Sequence, residues 1–551
     1  MHFHRIFRRL SMTIHLLAFA AAAAEQPDDP ADFHIAIIGA GIAGASAAYH
    51  LRRLSASGTE QTPKLYITVY ETSPVVGGQV KNISPPESDR VLEAGASYFF
   101  EDDWCLTDTA QSLRLDRKVA HQGEGAVIWN GHHLLADRFC FHDVSRAATP
   151  RFWPSVWGIF WKTVKLFIRG NPSEVKSEWE LGEFRSDMAI MQDKLQSLGR
   201  NGSFDSLQDE LDKVGLGSTT RTSAEEFLRA LSVPRSSQTS VVEPCVEALF
   251  GLNIKEATGL HIVASMGSTR PPPVAIQSGN GELITRMLRE SSATLHVDSQ
   301  VTKVENGSQR RFSLTVASPE STKQTRREHD VVVFTGDSMA RLRPGGSNPP
   351  LKNIQHHITH FSTDLALDAR IIGLELGWNP STLLATENSS YIDREIRIMR
   401  LTTFPEFYID HRGCEWDDEC DQFVHVHRVD SRTPLSEAKL RFLAEGINDP
   451  EWNHIIWSHT QSWNHTLAVD GSNQFDPAAY QTEPEPGLLN SNSGLISMME
   501  MSCRMGRNAA WKLLQTRLLP NGISQGDQIA SFKSASYNVI SENLEREKCN
   551  S

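Results

Sequence analysis

Apolar positions near the start of the ordered chain change period within forty residues. His34 to Ile38 is a short β-branched run, cut off by Gly39-Ala40-Gly41-Ile42-Ala43-Gly44. Ala45 to Leu54 is rich in helix formers. Ser55 to Lys64 is polar and carries Gly58 and Pro63, and Leu65 to Tyr70 alternates and is β-branched up to Glu71. The pattern predicts strand, glycine turn, helix, loop and strand, beginning at Phe33. Further on, Asp187 to Leu198 and Ala224 to Leu231 read as helices. Leu295 to Val316 reads as two strands around a turn at Asn306-Gly307, and Asp330 to Thr335 as a fully buried strand. Residues 341–480 are mostly β-like with many turns, Gly494 to Leu518 is helix-forming, and the polar tail beyond Asn521 is expected to be poorly ordered.

Gly39, Gly41 and Gly44 form G-x-G-x-x-G in the context that the motif needs. The first glycine permits the tight turn and the second lets backbone approach a pyrophosphate. The third lets helix and strand pack closely, and the helix N-terminus offers N–H groups to the phosphates. Glu71, 27 residues past Gly44, ends the second strand where a carboxylate accepts from a ribose diol. NAD and FAD share this fingerprint. The second pair Gly77-Gly78, soon after the acid, resembles the flavoprotein motif of the amine-oxidase and glutathione-reductase-like group, so FAD is the expected cofactor. That group commonly follows the pair with Arg, whereas this chain has Gln79. In the same reading Val301 offers strand backbone to adenine, and Glu500 opens a last helix whose N-terminus faces the flavin or pyrophosphate.

Composition narrows the class. The 551 residues are too many for one compact core, and the formal charge of -13 argues against general nucleic-acid binding. Arg5, Arg8 and Arg9, the apolar run Met12 to Ala24 and the small residues Ala22-Ala23-Ala24 have the layout of a signal peptide over residues 1–24. Sequons at Asn82, Asn201, Asn306, Asn388 and Asn464 agree with a glycosylated, secreted or lysosomal/vacuolar protein. Seven cysteines leave an odd thiol, and Cys414 with Cys420, around an acidic loop, is the favoured disulfide. Phe152 to Ile168 is aromatic but broken by Lys162 and Lys165, too short to span a bilayer. It reads either as a buried amphipathic helix or, through Trp153, Trp157, Phe160 and Trp161, as the lining of a lipid tunnel or a peripheral membrane contact. His425 and His427 share one strand face, read as solvated; no metal is expected.

Several motifs together make the resemblance specific. Gly39-Gly41-Gly44, Tyr70-Glu71, Gly77-Gly78 and Glu93-Ala94-Gly95-Ala96-Ser97 are followed by Ser278-Gly279-Asn280-Gly281, Thr402-Thr403-Phe404-Pro405, the Cys414/Cys420 loop and the Glu500 to Asn508 segment. Over residues 34–518 the chain resembles the prenylcysteine oxidase (prenylcysteine lyase) family. The resemblance implies an α/β fold, with a glutathione-reductase-like or amine-oxidase-like FAD-binding Rossmann domain in segments 33–135, 276–340 and 481–520. An interleaved α+β substrate domain occupies 136–275 and 341–480. It implies an FAD-dependent thioether oxidase that uses O₂ and cleaves farnesyl- or geranylgeranyl-cysteine to cysteine, a prenyl aldehyde and hydrogen peroxide. The prenyl C1 is allylic and next to sulfur, so hydride loss to flavin N5 needs no acid–base pair, and no catalytic residue is singled out. Gly279, Asn280 and Gly281 are candidates to bring backbone to the flavin's reacting face. Two alternatives stand beside this reading: an FAD oxidase of a prenylated or polyketide-like metabolite, and a non-catalytic lumenal flavin- or lipid-binding protein.

Overall fold

The computed structural model of the protein describes residues 32–56, 63–86, 90–120, 126–129, 134–137, 172–200, 202–266, 270–271, 273–307, 311–319, 321–336, 338, 342, 351–364, 367, 382–385, 398–404, 408–410, 422–445, 455–468, 488–490 and 498–518. In chain order the elements used below are β1 (Phe33–Ile38), α1 (Ile42–Ala56), β2 (Leu65–Tyr70), α2 (Trp104–Ser112), β3 (Ala126–Trp129), β4 (Leu134–Asp137) and α3 (Pro172–Ser197). After these come α4 (Glu243–Phe250), α5 (Gly259–Ser265), α6 (Asn280–Glu290), β5 (Thr294–His296), β6 (Gln300–Asn306), β7 (Phe312–Ser318), β8 (Ser321–His329) and β9 (Val331–Phe334). The last are β10 (Leu351–Thr363), β11 (Thr382–Ala385), β12 (Ile398–Thr403), β13 (Gln422–Ser431), β14 (Ile455–Ala468), β15 (Leu488–Asn490) and α7 (Met499–Leu513).

Five strands form a parallel sheet in the order β5-β2-β1-β9-β15. Its central strand is apolar on both faces, because both are covered. Ile35 and Ile37 pack with α1, α6 and α7, whereas Ala36 and Ile38 pack with Val301, Val304, Phe312 and Leu314 of the antiparallel meander β6-β7-β8. Helix layer, parallel sheet and meander make the three-layer dinucleotide fold expected from the sequence. Gly506 lets α7 lie against α1, since a Cβ there would stand 2.2 Å from the Ala43 carbonyl oxygen.

The second unit is a large sheet in the order β14-β10-β13-β12-β11-β3-β4, with Tyr408–Asp410 also paired to β13. A helical block between 172 and 266 supplies a separate core that includes Phe184, Leu228, Val242 and Ile262. One expected boundary moves. β3 pairs in parallel with β11, so the first dinucleotide segment ends before Ala126 and not at 135. An isolated four-residue strand carries no period that assigns it to one sheet over another. The helix expected from Asp187 begins at Pro172, and the Leu295–Val316 pair divides between two sheets, with Leu295 in β5. Among the described residues no helix is long and apolar enough to cross a membrane.

Candidate active site

The two glycine turns meet backbone to backbone. The Gly77 N–H donates to the Ala40 carbonyl at 3.0 Å, and Gly41 and Gly77 form a parallel bridge. Gly39, Gly77 and Gly78 all have positive φ (105°, 121° and 57°), which only glycine adopts without strain. A Cβ on Gly39 would stand 2.2 Å from Thr335 Oγ1, and one on Gly44 would stand 2.0 Å from the Gly39 carbonyl oxygen. Gly41 differs: a Cβ there would meet only the Gly77 oxygen and Gly78 Cα, each at 3.9 Å. Nothing in the protein itself demands that glycine. The open space in front of it, at the N-terminus of α1, is where a pyrophosphate requires backbone. Glu71 accepts from the N–H groups of Ala40 (2.8 Å) and Ser73 (2.9 Å), which aims its carboxylate at the end of the sheet. Asp298 and Ser299 donate to the Ser73 and Glu71 carbonyls, so the backbone leading to Val301 runs beside the acid, while the Val301 side chain is buried under the meander. These residues fit FAD. Gly39, Gly41, Gly44 and the Gly77-Gly78 turn would hold its phosphates, and Glu71 its ribose.

Beyond the second glycine turn lies a cavity open at its mouth. Gln79, Gly95-Ala96-Ser97 and Met498-Met499-Glu500 form its wall on the dinucleotide side. Leu249 and Phe250 of α4, Ile358 of β10, Arg400 of β12, Arg428 of β13 and Trp463 of β14 face them from the second unit. The loop at 93–97 is held from both sides. Ala96 N–H donates to the Gln79 carbonyl at 2.9 Å, Trp463 Nε1 to the Ala94 carbonyl at 3.0 Å, and Arg428 Nη1 to the Glu93 carbonyl at 3.2 Å. Gln79 stands where the related motif has Arg, so the cations beside this wall come from Arg400 and Arg428 instead.

Three expected sites change role. Gly279, Asn280 and Gly281 do not line the cavity. Asn280 is fully buried and fastens the loop: its N–H donates to Glu93 Oε1 at 2.7 Å and its side-chain amide to the Ala96 carbonyl at 3.3 Å. A Cβ on Gly279 would stand 2.3 Å from the Asn82 amide, so packing against Asn82 by itself requires glycine there. Glu500 borders the cavity, yet its carboxylate is spent elsewhere. It accepts from Cys105 and Leu106 N–H (2.9 and 3.0 Å), capping α2, and pairs with Arg504. Burial pushes its pKa up against those partners. The strand face of His425 and His427 is solvated only in part: His425 is half-buried, while His427 is buried between the Thr363 and Thr403 hydroxyls, and burial lowers its pKa to about 3.

The described residues hold a disulfide other than the expected Cys414–Cys420 pair. Cys105 and Cys503, 398 residues apart, form a disulfide between α2 and α7, and Cys245 is disulfide-bonded as well. Cys414 and Cys420 lie outside the described residues, as do the signal segment 1–24, the aromatics Trp153, Trp157, Phe160 and Trp161, and the sequons at Asn201 and Asn388. Asn82 and Asn306 are exposed, Asn464 is on β14, and the Asn82 amide is bonded to the Ser278 carbonyl and the Gly281 N–H.

Residues that sequence reasoning missed sit on the large sheet. Arg428 and Asp430 stand two apart on β13, on the parity opposite His425 and His427, and as buried charges they require partners. Nothing local joins them to Arg400 or Trp463. Tyr98 also lines the cavity, and burial raises its phenol above the ordinary range.

Residues 193–527 match the prenylcysteine lyase family, and residues 37–113 match the NAD(P)-binding Rossmann-like domain. The chain is 21% identical to the farnesylcysteine lyase of Arabidopsis thaliana over 51% of its own length and 53% of that protein's, so this match spans about half of that relative. It is 22% identical to a mouse (Mus musculus) protein named prenylcysteine oxidase 1-like, over 80% of this chain and 84% of that one. Among solved structures, a putrescine oxidase variant superposes with a TM-score of 0.54 at 13% identity, covering 88% of this chain and 99% of the other. Cyclohexylamine oxidase from Brevibacterium oxydans gives 0.53 at 13% identity, over 88% and 99%. At these identities the two structures establish the fold.

Proposed function

The chain belongs to the prenylcysteine lyase family and is an FAD-dependent oxidoreductase, and from that premise we propose that it oxidises the thioether carbon of a prenylated cysteine. The observation that carries this reading is the cavity. Its dinucleotide wall carries the small residues Gly95, Ala96 and Ser97, and the wall opposite combines aliphatic and aromatic side chains with buried guanidinium groups. Such a space accepts an apolar chain with a polar head. Bound FAD supplies a two-electron acceptor that O₂ re-oxidises with formation of hydrogen peroxide.

The chain's own part is positional. Asn280, Arg428 and Trp463 hold the 93–97 loop rigid from three directions, which keeps one wall in register with the other. Leu249, Phe250 and Ile358 exclude bulk water around the thioether. Once the allylic carbon next to sulfur has lost hydride, one water adds to it. The hemithioacetal then collapses to aldehyde and thiol, with the water's protons leaving to solvent and to sulfur. None of these steps needs a buried acid–base pair.

The same proposal places the protein in the secretory pathway, as a lumenal or secreted glycoprotein. A disulfide that joins two buried helices forms and persists in an oxidising compartment, which supports this placement. The test of function is to purify the yellow holoprotein and add farnesylcysteine without oxygen. Bleaching of the visible bands, with peroxide on readmission of air, is the expected result. A flavin that stays oxidised under farnesyl- and geranylgeranylcysteine alike would remove the thioether reading and leave another oxidisable metabolite.

A further inference from the structure

Buried guanidinium groups in this protein are generally matched by carboxylates. Arg270 faces Asp102 and Asp103, and Arg504 pairs with Glu500. The cavity wall breaks that rule. Arg400 and Arg428, each 4% exposed, share the single fully buried Asp430. Arg428 is fully engaged, with Nε and Nη2 on Asp430 and Nη1 on the Glu93 carbonyl. Arg400 spends one Nη2 on Asp430, and its Nε is buried with no hydrogen-bond partner.

Glu93 is the other carboxyl beside Arg428. Its Oε1 is taken by the Asn280 N–H and its Oε2 has no partner, and burial pushes its pKa up to about 8, so near neutral pH it is largely protonated. His360, on the same face of the sheet, is held neutral by burial and by the two guanidinium groups. Around Asp430 there are thus two guanidinium groups for one carboxylate, and the Nε of Arg400, a residue of the cavity wall, is left without an acceptor among the described residues. A buried, unmatched cation with an idle donor is costly unless an anion arrives to share it.

We propose that Arg400 is the seat for the substrate's carboxylate, and that Asp430 and Arg428 orient it for that task. The substrate class is then an apolar thioether that keeps a free carboxylate, as opposed to its ester. This deepens the thioether reading and rests on it. The carboxylate of a prenylated cysteine is separated from sulfur only by cysteine's own α and β carbons. Anchoring it on a rigid strand therefore sets where the adjacent prenyl carbon lies, while Leu249, Phe250 and Ile358 offer the apolar path for the chain. Arg400 is a binding residue in this account, and Arg428 a positioning residue.

The experiment is ligand binding to the oxidised holoprotein, read by the change in the flavin's visible spectrum and by thermal shift. The probes are decanoate against decanol, and farnesylcysteine against its methyl ester without oxygen. The variants are Arg400→Gln and Arg400→Lys, accepted only if flavin content and melting match the parent. In the parent the carboxylate member of each pair should bind at least about tenfold more tightly. Arg400→Gln should abolish the preference, and Arg400→Lys should restore part of it. Equal binding of carboxylate and neutral probes in the parent would overturn the proposal. So would a full preference in Arg400→Gln accompanied by a changed flavin midpoint potential, because the cation would then serve the cofactor. If farnesylcysteine fails to reduce the flavin while decanoate still prefers the parent over Arg400→Gln, the thioether reading falls and the carboxylate seat stands. If Arg400→Gln and Arg400→Lys both fail to fold, the parent alone still decides: a carboxylate preference in both probe pairs supports the seat, and equal binding within either pair overturns it.

Discussion

One added methyl group has opposite consequences at two glycines of the same motif. At Gly41 a Cβ has ordinary contacts, 3.9 Å from its nearest neighbours, so Gly41→Ala should fold, with the melting temperature of its apoprotein nearly that of the parent apoprotein. It should lose flavin, because the methyl group occupies the space that the phosphates need; absorbance near the flavin band per mole of protein should fall at least about tenfold. At Gly44 the Cβ would lie 2.0 Å from the Gly39 carbonyl oxygen, and Gly44→Ala should cost about 1–3 kcal/mol or more in urea unfolding. If Gly41→Ala keeps full flavin, the phosphate site has been placed wrongly. The motif was legible because its residues are close in sequence and each has a local reason. Asn280 was misread for the same reason: Gly279-Asn280-Gly281 resembles a ligand loop until Asn82, Glu93 and Ala96 are seen to fill its surroundings.

The last helix joins everything that the site depends on. α7 begins at the cavity with Met499 and is fixed at one point by the Cys105 disulfide. Arg504 ties it to the Leu195 carbonyl and Gln196 of α3, and Gly506 presses it onto α1. Gly506→Ala brings a methyl group 2.2 Å from the Ala43 oxygen and 2.9 Å from the Ala47 nitrogen, both backbone atoms that cannot rotate away. The expected outcome is a loss of about 1–3 kcal/mol in urea unfolding, together with faster release of flavin, since α1 carries the phosphate turn. A variant that unfolds like the parent and holds flavin equally well would show that the two helices do not need that contact. As an element α7 was readable from its composition. Its partners were not, because they come from α1, α2 and α3, hundreds of residues earlier.

Across the whole molecule, protonation decides a stability that no single element reveals. His50, His261, His360 and His427 are buried, and burial lowers the pKa of each below 6.5, to about 4 for His261 and about 3 for His427. Below pH 6.5 the unfolded chain takes up protons that the folded one refuses. Stability then falls by about 1.4 kcal/mol per pH unit per histidine until the folded pKa is reached. Glu93 acts in the opposite sense: with its folded pKa raised to about 8 from 4.5, it adds stability as pH falls between those values, as do Glu500 and Asp108 with their raised pKa, but the lowered histidines outnumber these acids. Melting of the holoprotein should therefore drop by several degrees between pH 7 and pH 5, and a flat profile would mean that these rings are solvated or protonated in the folded state.

Local order determined what the sequence could announce by itself. β1, the glycine turn, α1, β2 and Glu71 form one continuous supersecondary unit, in which period, turn residue and acid all lie within forty residues, so neighbouring residues dictate both shape and chemistry. The strand-rich middle was visible as strands, because alternation is a local property. Which strands pair, and which parity faces the cavity, depends on contacts among residues far apart in the chain. Only the folded molecule puts Arg400 and Arg428 around one Asp430, sets Trp463 against the Ala94 carbonyl, and brings Cys105 to Cys503. The cofactor loop is a short-range object and could be read in advance. The substrate wall is a meeting of distant strands, and tertiary packing alone decided its charge.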